Sequence, residues 1–215
     1  MRSFGLNEIW YMLQATQWTL YLSILTFVLG GSVGFFIALA RCSRSRLLRA
    51  ISGLYIQIFQ STPLLMQLFL IFFGLSLIGF RLPVLVAGSI ALTFWASAFL
   101  GEIWRGCIEA VPEQQTEAAD SLALTPWQQL RYVILPQASK IALPPTIGFF
   151  VQIIKNTSLT SIIGVTELMR ASTNMNNATF EPMKVLAVAS LIYFATCYPL
   201  SLISRKLENK LNVDH

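Results

Sequence analysis

Charge is scarce in this chain. Only 12 % of its 215 residues are Asp, Glu, Lys or Arg, about half the share of an average globular protein. So few charges cannot cover a soluble surface of this size. Histidine occurs once, as His215, which excludes most histidine-dependent catalysis. The three cysteines, Cys42, Cys107 and Cys197, lie far apart without a C-x-x-C pair. Neither a disulfide framework nor a zinc site is expected from them, and no metal site is assigned. The two aspartates, Asp120 and Asp214, fall outside the apolar runs and there is no H-E-x-x-H, so intramembrane protease chemistry lacks its groups. There is also no G-x-x-x-x-G-K-[ST] loop, nor any Gly-Lys pair; the chain is not expected to be an enzyme that hydrolyses ATP.

Apolar residues are abundant, at 55 %, and they are grouped. A membrane-crossing helix needs about 20 mostly apolar residues. No charge occurs from Ile9 to Ala40, with the apolar part clearest from Trp18, and none from Ala50 to Phe80, Leu82 to Gly101 or Val185 to Ser204. The run Ile141 to Thr166 is interrupted only by Lys155. These runs predict an all-α polytopic membrane protein with five transmembrane helices. The net charge of +5 sits in short clusters beside the runs, not on a basic face with aromatic platforms, so nucleic acid is excluded as a partner and the lipid bilayer is implied.

Ten basic residues collect on one side: Arg41, Arg44, Arg46, Arg49, Arg105, Arg131, Lys140, Arg205, Lys206 and Lys210. Four collect on the other: Arg2, Arg81, Arg170 and Lys184. The positive-inside bias puts the amino terminus outside and the carboxyl terminus in the cytoplasm. The first run is longer than a signal-peptide core and is followed by four arginines, so it is expected to stay as a span. Residues 1–17, with Trp10 and Tyr11, are expected at the outer interface, 18–204 as one domain, and 205–215 as a cytoplasmic tail.

The connection from Glu102 to Lys140 is long for such a chain and carries helix signals. Pro112 suits the first turn of a helix and Glu113 its positive end. Thr125-Pro126-Trp127-Gln128 has the form of a capping box. Trp127, Leu130 and Ile134 follow at helical spacing, with Leu135-Pro136 expected to end that helix. The result would be a cytoplasmic helix–turn–helix with one small-residue face, suited to docking a soluble partner.

Glu117-Ala118-Ala119, then Ala123, then Val133-Ile134-Leu135-Pro136 resembles the EAA signature of permeases in ATP-binding-cassette (ABC) importers. Flanking segments resemble the polar amino acid permeases. They are Ser61-Thr62-Pro63-Leu64-Leu65-Met66-Gln67-Leu68, Glu102-Ile103-Trp104-Arg105-Gly106, Val111-Pro112 with Gln115, and Lys155-Asn156-Thr157-Ser158-Leu159 followed by Gly164-Val165-Thr166-Glu167-Leu168. The resemblance implies a type I ABC importer fold and a permease subunit of an amino acid importer in a bacterial inner membrane. It implies as partners two ATPase subunits, a second permease (paralogue or identical chain) and an extracellular or periplasmic substrate-binding protein. No cofactor is expected on this chain; ATP and magnesium would be held by the ATPases. The coupling loop would be 106–140, with Glu117, Ala118, Ala119, Ala123, Leu135 and Pro136 at the ATPase contact. Family members usually carry glycine where this chain has Ala123. Leu122 to Leu124 are expected to continue the helix to the Thr125 cap, leaving 123 in helical geometry.

Polar groups within a span are expensive and informative. Lys155 with Asn156, Thr157 and Ser158 would form a polar patch serving either a substrate pathway or helix packing. Gln57, Gln60 and Thr62 are the corresponding candidates in the second span. Gln60 and Gln67 would share a face if Pro63 keeps the helical register. Related permeases often have an acid near Gln57 and arginine at Gln60, so their neutrality argues against a basic substrate. Gly30-Gly31 with Gly34 suits close helix packing. Pro144-Pro145 is expected to open the fourth span, and Glu167 to pair locally with Arg170. A channel or secondary transporter would explain the spans and Lys155, but not the structured loop, and five spans do not divide into two inverted repeats.

Overall fold

The computed structural model describes residues 4–213, so Arg2, Asp214 and His215 lie outside it. Among the described residues there are helices and no strands. The helices are α1 (Leu6–Arg41), α2 (Arg46–Ser61), α3 (Leu64–Leu77), α4 (Val84–Glu109), α5 (Glu113–Ser121), α6 (Pro126–Gln128), α7 (Leu135–Asn156), α8 (Leu168–Thr179) and α9 (Pro182–Val213).

Three of them, α1, α4 and α9, are long and apolar enough to cross a bilayer, and α2 with α3 adds a bent fourth candidate. The fifth expected span does not stand out in this way. Its apolar run is diluted within α7 by Pro144, Pro145, Thr146 and Gln152, and the α-helix stops at Asn156. Helix α1 has 36 residues, about 54 Å at 1.5 Å per residue, against a hydrocarbon core of about 30 Å. The expected outer segment 1–17 is therefore not set off by a break: from Leu6 onward it is the first part of α1.

The second apolar run is not one helix. Thr62 takes extended geometry ahead of Pro63, as the residue before proline tends to do, and α3 leaves α2 at 101°. Gln67, only 5 % exposed, makes the bend tolerable. Its Nε2 donates to the carbonyls of Phe59 at 2.9 Å and Thr62 at 3.0 Å, and to Thr62 Oγ1 at 2.9 Å. The proline thus breaks the register, and Gln67 braces the bend instead of sharing a face with Gln60.

Helices α1 and α4 form the spine. A Cβ on Gly30 would meet Ala96 Cβ at 2.8 Å, and one on Gly34 would lie 3.0 Å from the Ser97 carbonyl oxygen. Only glycine permits this approach. In a membrane, where lipid offers no hydrophobic drive for association, such backbone closeness supplies the dispersion contacts that hold helices together. Leu22, Leu68, Leu92, Leu100 and Ile153 are fully buried beside this spine. Phe149 from α7 stacks on Phe99 with centroids 5.6 Å apart and tilts against Trp95 at 5.1 Å.

Two proline expectations are corrected. Pro136 does not end a helix: α6 passes through a π turn, Gln129–Ile134, straight into α7. A proline inside an α-helix removes a hydrogen bond and crowds the preceding turn, and the wider π spacing just before it accommodates both effects. Pro144 and Pro145 lie in the middle of α7, not at its start. Ser204 of α9 donates to the Pro144 carbonyl at 2.8 Å, joining the two helices there.

Candidate functional site: a capped hairpin and a cationic groove

The hairpin between α4 and α7 is built almost wholly from local signals. Pro112 stands at the N-cap of α5, one position before its expected place, with Glu113 in the first turn. Thr125 caps α6: its hydroxyl accepts from the Gln128 N–H at 3.4 Å, and the Gln128 side chain accepts from the Thr125 N–H at 2.9 Å. The expected capping box is present.

The link between the two helices corrects the expectation for Ala123. Helix α5 ends at Ser121, and Ala123 has φ of +52°. Leu124 N–H bonds to the Ala119 carbonyl at 3.1 Å, and Ala123 N–H to that of Asp120 at 2.8 Å. These six-to-one and five-to-two bonds are a Schellman motif with alanine in the left-handed position that glycine prefers. A Cβ costs about 1–2 kcal/mol there. The paired bonds, together with Gln129, hold the turn in place despite it. Buried Gln129 donates to Asp120 Oδ1 at 2.6 Å and to the Leu124 carbonyl at 2.8 Å. The sequence reading missed Gln129, because a glutamine nine residues from its partner gives no periodic signal.

Within the signature the residues divide by face. Ala119 is buried at 2 % exposure, whereas Glu117, Ala118, Ala123 and Pro136 are exposed and Leu135 is half-buried. Leu122, Trp127 and Tyr132 are large side chains left outside on the same hairpin. Just above it, Arg105 donates to Glu102 and Glu109, one turn away on either side. Trp104 Nε1 donates to Thr146 Oγ1 at 2.8 Å, tying α4 to α7.

The polar candidates within the spans do not gather at one place. Gln57 and Gln60 are exposed on α2, and Gln60 Nε2 reaches the Ala98 carbonyl at 3.4 Å. Thr62 turns back on the Ile58 carbonyl at 2.8 Å. Lys155 is exposed in a cavity between α7 and α9 that no α2 residue lines. Its neighbours face elsewhere. Thr157 is fully buried and donates to the Ile154 carbonyl at 2.7 Å, and Ser158 donates to that of Lys155 at 2.6 Å. Asn156 is the last residue of α7 and half-buried. The hydroxyls satisfy carbonyls where α7 gives way to a 3-10 turn, Thr157–Ser161.

At the start of α8, Glu167 is fully buried and caps the helix. Its carboxylate accepts from the Arg170 backbone N–H at 2.8 Å, Tyr193 Oη at 3.0 Å and Thr19 Oγ1 at 3.4 Å. The expected ion pair is replaced by a cap, since the Arg170 guanidinium points to the Ser161 carbonyl. Glu167 thereby pins α8 to α1 and α9. Lys184 pairs with Glu181 and holds that half-buried carboxyl below the usual carboxylate range.

Residues 30–213 match the family model described as binding-protein-dependent transport system inner membrane component. The chain belongs to this family. As one of its members it is a multi-pass membrane protein, which agrees with its long apolar helices. It is 36 % identical over 200 residues to a probable amino-acid ABC transporter permease protein of Bacillus subtilis, covering 93 % of this chain and 88 % of that one. An L-cystine transport system permease protein of the same organism is 34 % identical over 213 residues, 94 % of this chain and 91 % of the relative. A solved structure described as an amino acid ABC transporter with histidines superposes with a TM-score of 0.88 at 34 % identity, covering 93 % of this chain and 94 % of that one. The family fold is thus that of an ABC importer permease, and the resemblance drawn from the EAA-like segment holds.

Proposed function

We propose that this chain is the membrane-spanning permease subunit of an ATP-driven amino acid importer in a bacterial inner membrane, amino terminus outside and carboxyl terminus in the cytoplasm. It works with two ATPase subunits, which hold ATP and magnesium, with a second permease and with an extracellular substrate-binding protein. The single observation that carries this reading is the capped hairpin. A rigid, Schellman-closed helix pair presents Glu117, Ala118 and Leu122 outward, beside helices that cross the bilayer.

The geometry supplies a mechanical route. Force on α5 passes through Asp120 and Gln129 into the π turn, and from there into α7. From Pro126 to Lys155 the helix runs without interruption, about 45 Å at 1.5 Å per residue. A tilt of the hairpin therefore moves Lys155. Pro144 and Pro145 weaken the helix midway, giving the lever a place to bend. The pathway runs along the α7–α9 face, with Lys155 at its edge. Asn156, Thr157 and Ser158 shape the end of α7, and Gln57, Gln60 and Thr62 serve from α2.

Glu117→Lys tests this reading. It reverses an exposed charge, so the helices should still fold. In a reconstituted complex, stimulation of ATP hydrolysis by loaded binding protein should fall at least tenfold. Unchanged stimulation would remove the coupling role.

A further inference from the structure

Lys155 and Arg205 line one cavity of about 210 Å3 between α7 and α9, and no acidic residue lines it. Lys155, a cation within a span, needs water or an opposing charge, and Arg205 stands just where α9 leaves its apolar run. Among the described residues the ion pairs are Arg105 with Glu102 and Glu109, and Lys184 with Glu181, and none involves Lys155 or Arg205. The nearest acid along α9, Glu208, lines a separate cavity with Pro144 and Gly148. The remaining wall is chemically simple. Phe194 and Tyr198 stack at 4.9 Å. Ser201 gives its proton to the Cys197 carbonyl at 3.0 Å. That leaves two cations and the Tyr198 hydroxyl to face a ligand, with no carboxylate to receive an ammonium or guanidinium side chain.

We propose that this cavity is a carboxylate subsite of the pathway that favours acidic amino acids, with Lys155 taking one carboxylate and Arg205 the second. The proposal rests on the permease reading and adds the substrate class. Every zwitterionic amino acid carries one carboxylate, so Lys155 alone would not discriminate. The second cation on the same wall rewards a second negative charge and repels a positive one. The neutrality of Gln57 and Gln60 agrees with this, since no acid on α2 is offered to a basic substrate either.

The test uses the assembled complex of this permease with its ATPase, in nanodiscs of uncharged lipid, and labelled L-glutamate, L-glutamine and L-arginine as probes. Glutamate should bind at least tenfold tighter than glutamine, with arginine weakest. K155M and R205Q should each lower glutamate affinity about tenfold, K155R should retain it, and R205Q should leave glutamine within twofold. Glutamine or arginine binding as tightly as glutamate would overturn the proposal without needing any variant. So would glutamate binding unchanged in both K155M and R205Q. Displacement of glutamate by added phosphatidylglycerol would assign the cavity to a lipid headgroup and overturn it as well. If the complex couples ATP hydrolysis to glutamine or arginine with no preference for glutamate, only the subsite falls. If, with the substrate-binding protein added, no amino acid stimulates hydrolysis, the permease reading falls with it.

Discussion

Helices α4 and α9 are both long and apolar, yet they are used oppositely. In the most apolar stretch of α4, 61 % of the residues are buried within the chain; in that of α9, only 11 %. Helix α4 takes α1 against its glycines, α7 against Trp95 and Phe99, and α2 through Tyr55, whose hydroxyl meets Ser97 Oγ at 2.7 Å. Helix α9 packs along one side only, at Val185, Ala189, Tyr193 and Ser204, and leaves Met183, Leu186 and Leu191 outside. Hydrophobicity alone did not separate them. Small residues help, since Ala87, Ala91, Ala96, Ser97 and Gly101 let neighbours approach α4; on α9, Ala187, Ser190 and Ala195 are as small but exposed, leaving a side that suits lipid or a second subunit. The packed helix holds the subunit together, and the bare one leaves a face uncovered by this chain.

The comparison breaks most easily at the α1–α4 contact. Gly34→Leu places a side chain against the Ser97 carbonyl and the Gly101 N–H, backbone groups that cannot yield. Overpacking of this kind costs about 3 kcal/mol. Thermal unfolding of the purified subunit should show it, and an unchanged melting temperature would deny α4 its role as spine. Glu167→Ala should cost less, about 2 kcal/mol. It removes the cap of α8, itself worth about 0.5–2 kcal/mol, and leaves the Tyr193 and Thr19 hydroxyls without their acceptor. The loss should appear first as faster hydrogen exchange in α8 and the amino-terminal half of α9.

Ala123→Gly goes the other way. Relief of the left-handed cost, about 1–2 kcal/mol, is partly offset by glycine's greater freedom when unfolded, about 0.5–1 kcal/mol. The net gain should be near 1 kcal/mol in the assembled complex, and a loss would mean that 123 is not left-handed in solution. Smallest of all, Leu191→Ala on the bare face, where Leu191 is 67 % exposed, should change the isolated subunit by less than about 0.5 kcal/mol. A larger effect that appears only in the full complex would sharpen the comparison by showing that a second subunit covers α9.

Local chemistry explains what was legible in the sequence. The Thr125 capping box needs only Gln128, three residues on, and it formed as expected. Gly30 and Gly34 announced a close contact by their spacing alone. Most misreadings concern backbone breaks whose outcome depends on what a few neighbouring groups do; the Glu167–Arg170 pair failed instead because the carboxylate turns to backbone and to Tyr193 and Thr19. Pro63 produces a sharp bend because Gln67 is there to take up the freed carbonyls. Pro136 fails to end a helix because the π turn before it makes room. Ala123 turns left-handed because Leu124 and Gln129 close the loop around it. Lys155 stood out in the sequence, but its companion Arg205 did not, since fifty residues separate two side chains that line one cavity.

A groove between α7 and α9 that carries substrate must be wet, whereas α4 is sealed. Cys197 lies in that groove beside Lys155, and Ser97 lies fully buried in α4. With Cys42 and Cys107 changed to serine, a charged, membrane-impermeant methanethiosulfonate should modify Cys197 in the assembled complex in detergent-free proteoliposomes opened on both sides. A thiol at position 97 (Cys197→Ser, Ser97→Cys) should stay unmodified. If Cys197 resists the charged reagent but reacts with a lipid-soluble maleimide, the groove faces lipid, and neither the pathway nor its carboxylate subsite stands.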